Sequence, residues 1–477
     1  MQFPFHTTLR IAACLSAASL MTGCDLLNEH RAKVALNDYQ IAAAANDLPA
    51  ARKALLELVR AKDDVADYWV ELGKVQASMG NFNDAYYAFS RAYELDRTNV
   101  DTLRSVTEMA LRAGDLPSAQ SHADELSVLS PGDLWPKLVK GWAAITQSHY
   151  DQALDIANAM LAVAPYDPSG AALKARALLG LNRHDEAVDL LSKQVEAQPT
   201  DAGSLQLLAR VYVRDNDWSK AFDIAQRLQR IMPTNRQNSL LLIQAGFRSG
   251  NNPAARDASL QLLTPTADSG LISSVLDLWS AYWASSQRVQ DARSLATRAQ
   301  GLGQRLVYAT YLSGWGDPAI AANLSGPRGG LPITAENAEA NAVLADAWAR
   351  MGNVGAAKNR FDAVLAFDPG NASAVRGRAE LELRTGQKAS AVTDAQKLVT
   401  VLPTSAPDRL LLARSFAAAG NKSWADRTLW AAFQDIPADE QIYAALEATK
   451  KGDPDATRDL QEEFDRQRDA KLGRGLI

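Results

Sequence analysis

The sequence predicts an all-α solenoid of about twelve helix-turn-helix repeats, and three periodic observations carry that prediction. Pro131, Pro165, Pro199 and Pro233 follow one another at intervals of 34 residues, and Pro369, Pro403 and Pro437 keep the same interval. Counted in windows of that length from Ala32, a small residue recurs at the twentieth position: Ala51, Ala85, Ala119, Ala153, Ala187, Ala221, Ala255, Ala357, Ala391 and Ala425. The fifteenth position is a turn former throughout: Asn46, Gly80, Gly114, Ser148, Asn182, Asn216, Gly250, Gly352, Gly386 and Gly420. Two helices per window, separated by a tight turn, are the direct reading. Composition agrees with a folded chain, at 47% hydrophobic and 22% charged residues. The 50 Lys and Arg against 55 Asp and Glu leave a net charge of −5, spread thinly over 477 residues. That balance argues against nucleic acid as the main partner.

The elements are taken in order from the N-terminus. Arg10 precedes Ile11 to Met21, an uncharged apolar run too short to span a bilayer and suited to the core of a secretory signal. Leu20-Met21-Thr22-Gly23-Cys24 then resembles a bacterial lipobox, with Met21 where Leu is commonest. The resemblance implies a signal peptide over 1–23, removed before Cys24, which becomes the lipidated residue of a tether over 24–31. The alternative is an ordinary signal peptide with an incidental cysteine. Cys14 and Cys24 are the only cysteines, so no disulfide framework, Cys-rich metal site or Cys nucleophile is expected in the body of the chain. Several acyl chains hold a protein firmly to a bilayer, so the lipobox implies an envelope protein tethered to a membrane and facing the periplasm. Asp25 resembles a signal for retention at the inner membrane, and sorting rules differ among bacteria.

The window Ala66 to Asn99 shows how the period carries structure. Trp69, Leu72, Gly73 and Gln76 fall on one face of a first helix, Gly80 and Asn81 end it, and Ala85, Phe89 and Ala92 line a second. At Gly73 and Ala85 the two helices must approach closely. Trp-x-x-Leu-Gly at 69–73 followed by Ala85, Phe89 and Ala92 resembles the tetratricopeptide repeat family, and the resemblance covers about 32–439. It implies a right-handed superhelix that binds other proteins in a concave groove. Two departures are local: Arg97 replaces the expected proline, and Tyr39 stands at a usually small position of a divergent first repeat.

A regular N-terminal array is expected over 32–263. Over 264–337 the register breaks. Thr264 to Gly270 inserts a loop, Trp279, Ser280, Trp283 and Ala292 restore the pattern late, and Gly301-Leu302-Gly303 shortens a second helix. A degenerate unit follows through Tyr308, Ala309, Leu312, Gly316 and Ala321, ending in a Gly- and Pro-rich loop at 326–332. This stretch reads either as an irregular joint between two arrays or as worn repeats inside one solenoid. Regular repeats resume over 338–439. Residues 440–477 then read as an amphipathic helix through Ile442, Tyr443 and Leu446 followed by a charged tail, a polar cap for the open end of the solenoid.

No catalytic site, metal site or cofactor is expected. The five histidines, His6, His30, His122, His149 and His184, have no second histidine at ligand spacing, and no phosphate-binding loop, nucleophile elbow or zinc-protease motif occurs. What remains is surface. The resemblance places first-helix positions two, five, nine, twelve and thirteen in the groove, and there the chain carries Arg112, Trp142, Arg176, Arg210, Arg214 and Arg248, then Arg350, Arg384 and Arg414. Stacked guanidiniums can clamp carboxylates of an acidic peptide or an anionic polysaccharide; a basic residue at position thirteen is also ordinary for such repeats. The expected function is a non-catalytic scaffold that joins envelope proteins of an assembly or secretion system, similar to lipoproteins of exopolysaccharide export and PEP-CTERM-type surface systems. The alternative is a periplasmic chaperone or binder of peptides or polysaccharide that works alone.

Overall fold

The computed structural model describes residues 27–326 and 332–474. The signal peptide, Cys24 and the centre of the 326–332 loop therefore lie outside the described residues. Twenty-six α-helices and no strand occur among the described residues. They form two compact units, one ending at Asp201 and the other beginning at Ala202.

The first unit holds α1 (27–44), α2 (Leu48–Ala61), α3 (Ala66–Ser78), α4 (Phe82–Leu95) and α5 (Val100–Arg112). It continues through α6 (Leu116–Leu129), α7 (Trp135–Thr146), α8 (Tyr150–Val163), α9 (Pro168–Gly180) and α10 (His184–Ala197). The second unit opens with α11 (Ala202–Arg214), α12 (Trp218–Ile231), α13 (Arg236–Arg248) and α14 (Asn252–Leu262). The degenerate stretch supplies α15 (Ser269–Tyr282), α16 (Gln287–Ala296), α17 (Gly301–Gly314) and α18 (Pro318–Ser325). The remaining repeats are α19 (Ala338–Arg350) with α20 (Val354–Phe367), α21 (Ala372–Arg384) with α22 (Lys388–Val401), and α23 (Ala406–Ala418) with α24 (Lys422–Asp435). A hairpin of α25 (Glu440–Thr449) and α26 (Pro454–Arg474) closes the chain.

Each repeat is built by the same backbone device. All ten fifteenth-position residues have positive φ, from 53° at Asn46 to 87° at Gly352. A residue in the left-handed region ends the first helix and reverses the chain within two residues, so the second helix packs back on the first. Gly fills the site without strain, and Asn tolerates it better than other side chains. All ten alanines at the twentieth position are buried where the paired helices meet. Gly73 shows how close that approach is: a Cβ there would lie 2.8 Å from the Phe89 ring. All seven periodic prolines sit in the turns between repeats, where their missing N–H costs nothing. Asn99, Asp167, Asn235 and Asn371 cap the next first helix by accepting from a backbone N–H three residues on.

Successive repeats pack through their first helices, α5 on α7 and α7 on α9 in one unit, and α13 through α15, α17 and α19 to α21 in the other. Polar bridges spaced about one repeat apart reinforce that layer. Tyr39 donates to Glu71 at 2.6 Å, which explains a large residue at a usually small position: its hydroxyl reaches the next repeat. Arg376 donates twice to fully buried Asp408, at 2.6 and 2.8 Å. Arg97, standing where proline was expected, lies 4.9 Å over the Tyr93 ring.

The stretch 264–337 packs on both neighbours. One core cluster runs from Ile243 through Trp279, Trp283 and Leu312 to Ala347. Trp279 is fully buried, donates its indole N–H to Ser259 and meets Trp283 edge-on at 5.1 Å. Arg288 donates to the carbonyl oxygens of Trp279 and Trp283 and lies 3.7 Å from the Trp315 ring centre. Gly301 starts α17, leaving α16 with 10 residues. The division between compact units falls at 201/202, inside the regular part of the array. No helix among the described residues is long and apolar enough to cross a membrane.

The left-handed turn gives the first test. Ser148 sits at φ 61° with an ordinary side chain, and Gly250 at φ 84° has open space where a Cβ would stand. Ser148→Gly is expected to stabilise the chain by about 0.5–1 kcal/mol and Gly250→Ala to destabilise it by about 1–2 kcal/mol in urea unfolding. Shifts of the same sign would contradict a left-handed turn at this register.

Candidate groove and its closure

The residues expected in a groove lie on the first helix of each repeat, and that helix also packs against its own second helix. In the first unit, Trp142 on α7 and Arg176 on α9 occupy equivalent positions one repeat apart. The Arg176 guanidinium lies 4.3 Å from the Trp142 ring centre. Such stacking holds the guanidinium plane in place. Arg112, at the end of α5, donates to Glu108 at 2.9 Å and lies 5.4 Å from the Phe82 ring centre.

In the second unit, Arg210 and Arg214 stand one turn apart on α11, with Arg214 donating to Asp215 at 2.7 Å. Arg248 ends α13. Its Nη1 donates to both carboxylate oxygens of Glu440, at 2.7 and 2.8 Å, while its guanidinium lies 4.1 Å from the Trp218 ring centre and 5.0 Å from that of Tyr282. Tyr282 also donates to Glu440 at 3.4 Å. Farther along, Arg350 pairs with Asp346, Arg414 with Glu380, and Arg384 donates to the Glu380 carbonyl. Arg176 belongs to the first unit, and Arg210 and Arg214 to the second.

The C-terminal hairpin does more than cover an end. Ile442, Leu446, Leu460 and Phe464 bury themselves against Leu429, Ala432 and Phe433 of α24. The hairpin then returns to the beginning of its unit. Arg468 on α26 donates to the main-chain carbonyls of Val213, at 3.3 Å, and of Arg214. These two oxygens belong to the last turn of α11, whose final carbonyls have no acceptor role within the helix and attract a cation. Between α11, α13 and the hairpin lies a cavity of about 500 Å³.

Glu440, Arg468, Trp218 and Asn238 were not among the residues expected at the site. Arg248 and Glu440 are 192 residues apart, so no local pattern pairs them. Among the described residues no group of three or more His, Cys, Asp and Glu side chains gathers as a metal site would.

A second polar cluster sits between α20, α21 and α22. Arg378 bridges Asp394 and Asp362. Glu382, one turn farther along α21, is buried, and its Oε2 has no hydrogen-bond partner. Burial, followed by repulsion from Asp394, pushes the Glu382 carboxyl up to about 7. With the folded value above the unfolded one, folding takes up a proton between them, and stability falls as pH rises from about 4.5 to 7. Glu382→Gln is therefore expected to raise the melting temperature at pH 8 and to lose that advantage near pH 4.5. A gain of equal size at both pH values would contradict a protonated Glu382.

Three stretches match known repeat families. Residues 137–267 match the family described as the Psidin N-terminal TPR repeats region, and residues 40–100 and 336–408 match the tetratricopeptide repeat family. No curated protein matches the chain. Solved structures similar to it include a thermophilic TPR protein from Thermus thermophilus, at 17% identity and TM-score 0.34, covering 38% of this chain and 98% of that one. PilW, described as a type IV pilus biogenesis factor, is similar at 16% identity and TM-score 0.34, over 41% of this chain and 91% of its own. The Cut9-Hcn1 structure is similar at 12% identity and TM-score 0.29, over 94% of this chain and 96% of its own.

Proposed function

From the premise that this chain is a tetratricopeptide-repeat protein, we propose that it is a membrane-anchored scaffold facing the periplasm, which gathers proteins of an envelope assembly or secretion system. The repeats provide an array suited to binding other proteins. The observation that carries the reading is the pairing of a repeated groove face, bearing Arg112, Trp142 and Arg176 in one unit and Arg210, Arg214 and Arg248 in the other, with a lipobox-like Leu20–Cys24 upstream. Only Asp25 to Arg31 separate Cys24 from the first repeat, so a lipid on Cys24 would hold the array beside the bilayer.

The groove chemistry suits exchange. Arg112, Arg214 and Arg350 pair with partly exposed carboxylates close by in sequence, and such pairs contribute only about 0–1 kcal/mol each. A partner that presents its own carboxylates replaces them at little cost, while Trp142 keeps Arg176 oriented. Export of exopolysaccharide or of surface proteins is the setting this build suits, and Asp25 favours the inner membrane as its seat.

Two measurements test the proposal. Labelling cells with an alkyne analogue of palmitate is expected to tag the protein, and Cys24→Ser to abolish the tag and release the chain from the membrane fraction. A soluble, untagged wild type would remove the anchor from the account. Replacing Arg176, Arg210 and Arg214 by Glu is expected to eliminate partner recovery in a pull-down from solubilised membranes. Undiminished recovery would refute the basic groove.

A further inference from the structure

A solenoid repeat ordinarily touches only its neighbours. The second unit departs from this where its C-terminal hairpin meets α11 and α13, and the cleft between them has a chemical character. Arg210, Arg214 and Arg468 line it together with Gln206, Asn238 and Gln244. Asn238 is buried, and its Nδ2 makes no hydrogen bond, while its Oδ1 accepts from Gln206 at 3.5 Å. A buried amide N–H₂ without an acceptor costs roughly 1–3 kcal/mol, so a ligand that supplies one gains affinity there.

Glu440 shows what the adjoining position accepts. Its carboxylate takes two hydrogen bonds from Arg248 and one from Tyr282, the arrangement a foreign carboxylate would find. The Arg248 side chain is 22% exposed and that of Glu440 is 51% exposed. The arginine is thus fixed between Trp218 and Tyr282, while the carboxylate is the exchangeable partner.

We infer that the cavity between α11, α13 and the C-terminal hairpin is a binding site for a short acidic peptide segment, with Glu440 as the internal carboxylate that the segment displaces from Arg248. The side-chain oxygens of Gln206 and Gln244 can accept and the unpartnered Nδ2 of Asn238 can donate, which matches a peptide backbone. Arginines of α11 and α26 receive carboxylates. A glycan would need an open aromatic face, and the Trp218 face toward this site is covered by Arg248. The cavity volume of about 500 Å³ lies within the range of ligand sites and admits a few residues of chain. Because Glu440 begins the hairpin, occupation of the site loosens α25 from α13 and signals to the end of the array that a partner is bound.

This inference rests on the reading of the array as a protein-binding scaffold, and its test can fail separately. Fluorescein-labelled hexaglutamate is titrated against the purified full chain and followed by anisotropy. Saturable binding is expected. Arg210→Gln and Asn238→Asp are each expected to weaken it about tenfold, and Glu440→Gln to tighten it several-fold by removing the internal competitor. Asn238 lies in the first turn of α13, where an aspartate favours the helix, and a urea melt checks that this variant folds while it loses the donor and repels the ligand. No saturable binding by either the wild type or Glu440→Gln, equal binding by all variants, or tighter capture of oligogalacturonate than of hexaglutamate would overturn the inference. If hexaglutamate fails while the membrane pull-down still depends on the groove arginines, the inference falls and the scaffold stands. If hexaglutamate binds as stated while the pull-down is indifferent to those arginines, the scaffold falls and the site stands.

Discussion

The recurring left-handed residue between paired helices is the constraint on which the rest of this structure depends. Positive φ at Asn46, Gly80, Gly114 and their equivalents reverses the chain so sharply that the two helices must pack at short range, and the buried alanine five residues later is the side chain that permits it. Once that geometry is fixed, one stripe of each first helix is committed to its own repeat and another to its neighbours. Side chains spaced by a whole repeat, such as Trp142 and Arg176, then occupy equivalent positions on successive first helices, and these two stack at 4.3 Å.

A groove built in this way is modular, and its chemistry is set by a few side chains per repeat. Stacking on Trp142 fixes Arg176, and stacking between Trp218 and Tyr282 fixes Arg248. Fixed guanidiniums lose less entropy when they meet a carboxylate than mobile lysines would. The C-terminal hairpin makes the second unit more than a sum of repeats. By sending Arg468 to the end of α11 and Glu440 to Arg248, it links the last elements of the unit to its first ones and sets a carboxylate on the guanidinium that ends α13.

Much of this was legible in the sequence because the determinants are local and repeated. The period of proline, the small twentieth position and the turn-forming fifteenth position each report on backbone geometry within one window, and the structure realises all three. Within 264–337, where the register breaks, Trp279, Trp283 and Ala321 sit in an aromatic core shared with the flanking repeats. The boundary at 201/202 was not legible: the period runs through it unbroken, so no change of composition or turn chemistry marks it. The closure of the groove was equally hidden. Glu440 reads as one more charged residue at a helix start, and only the path of the superhelix brings it to Arg248. In sequence Asn238 is one more polar residue ahead of an apolar run, and its unpartnered amide is a property of the folded chain alone.

The central claim is that Glu440 closes the groove through Arg248. Hydrogen exchange of the α25 amides in a double-mutant cycle tests it most directly, with Arg248→Ala, Glu440→Ala and the two combined. The account predicts that each single change speeds exchange across Glu440–Thr449 and that the double variant exchanges no faster than the singles, because both remove one interaction. Exchange unchanged by either substitution, or effects that simply add, would contradict it.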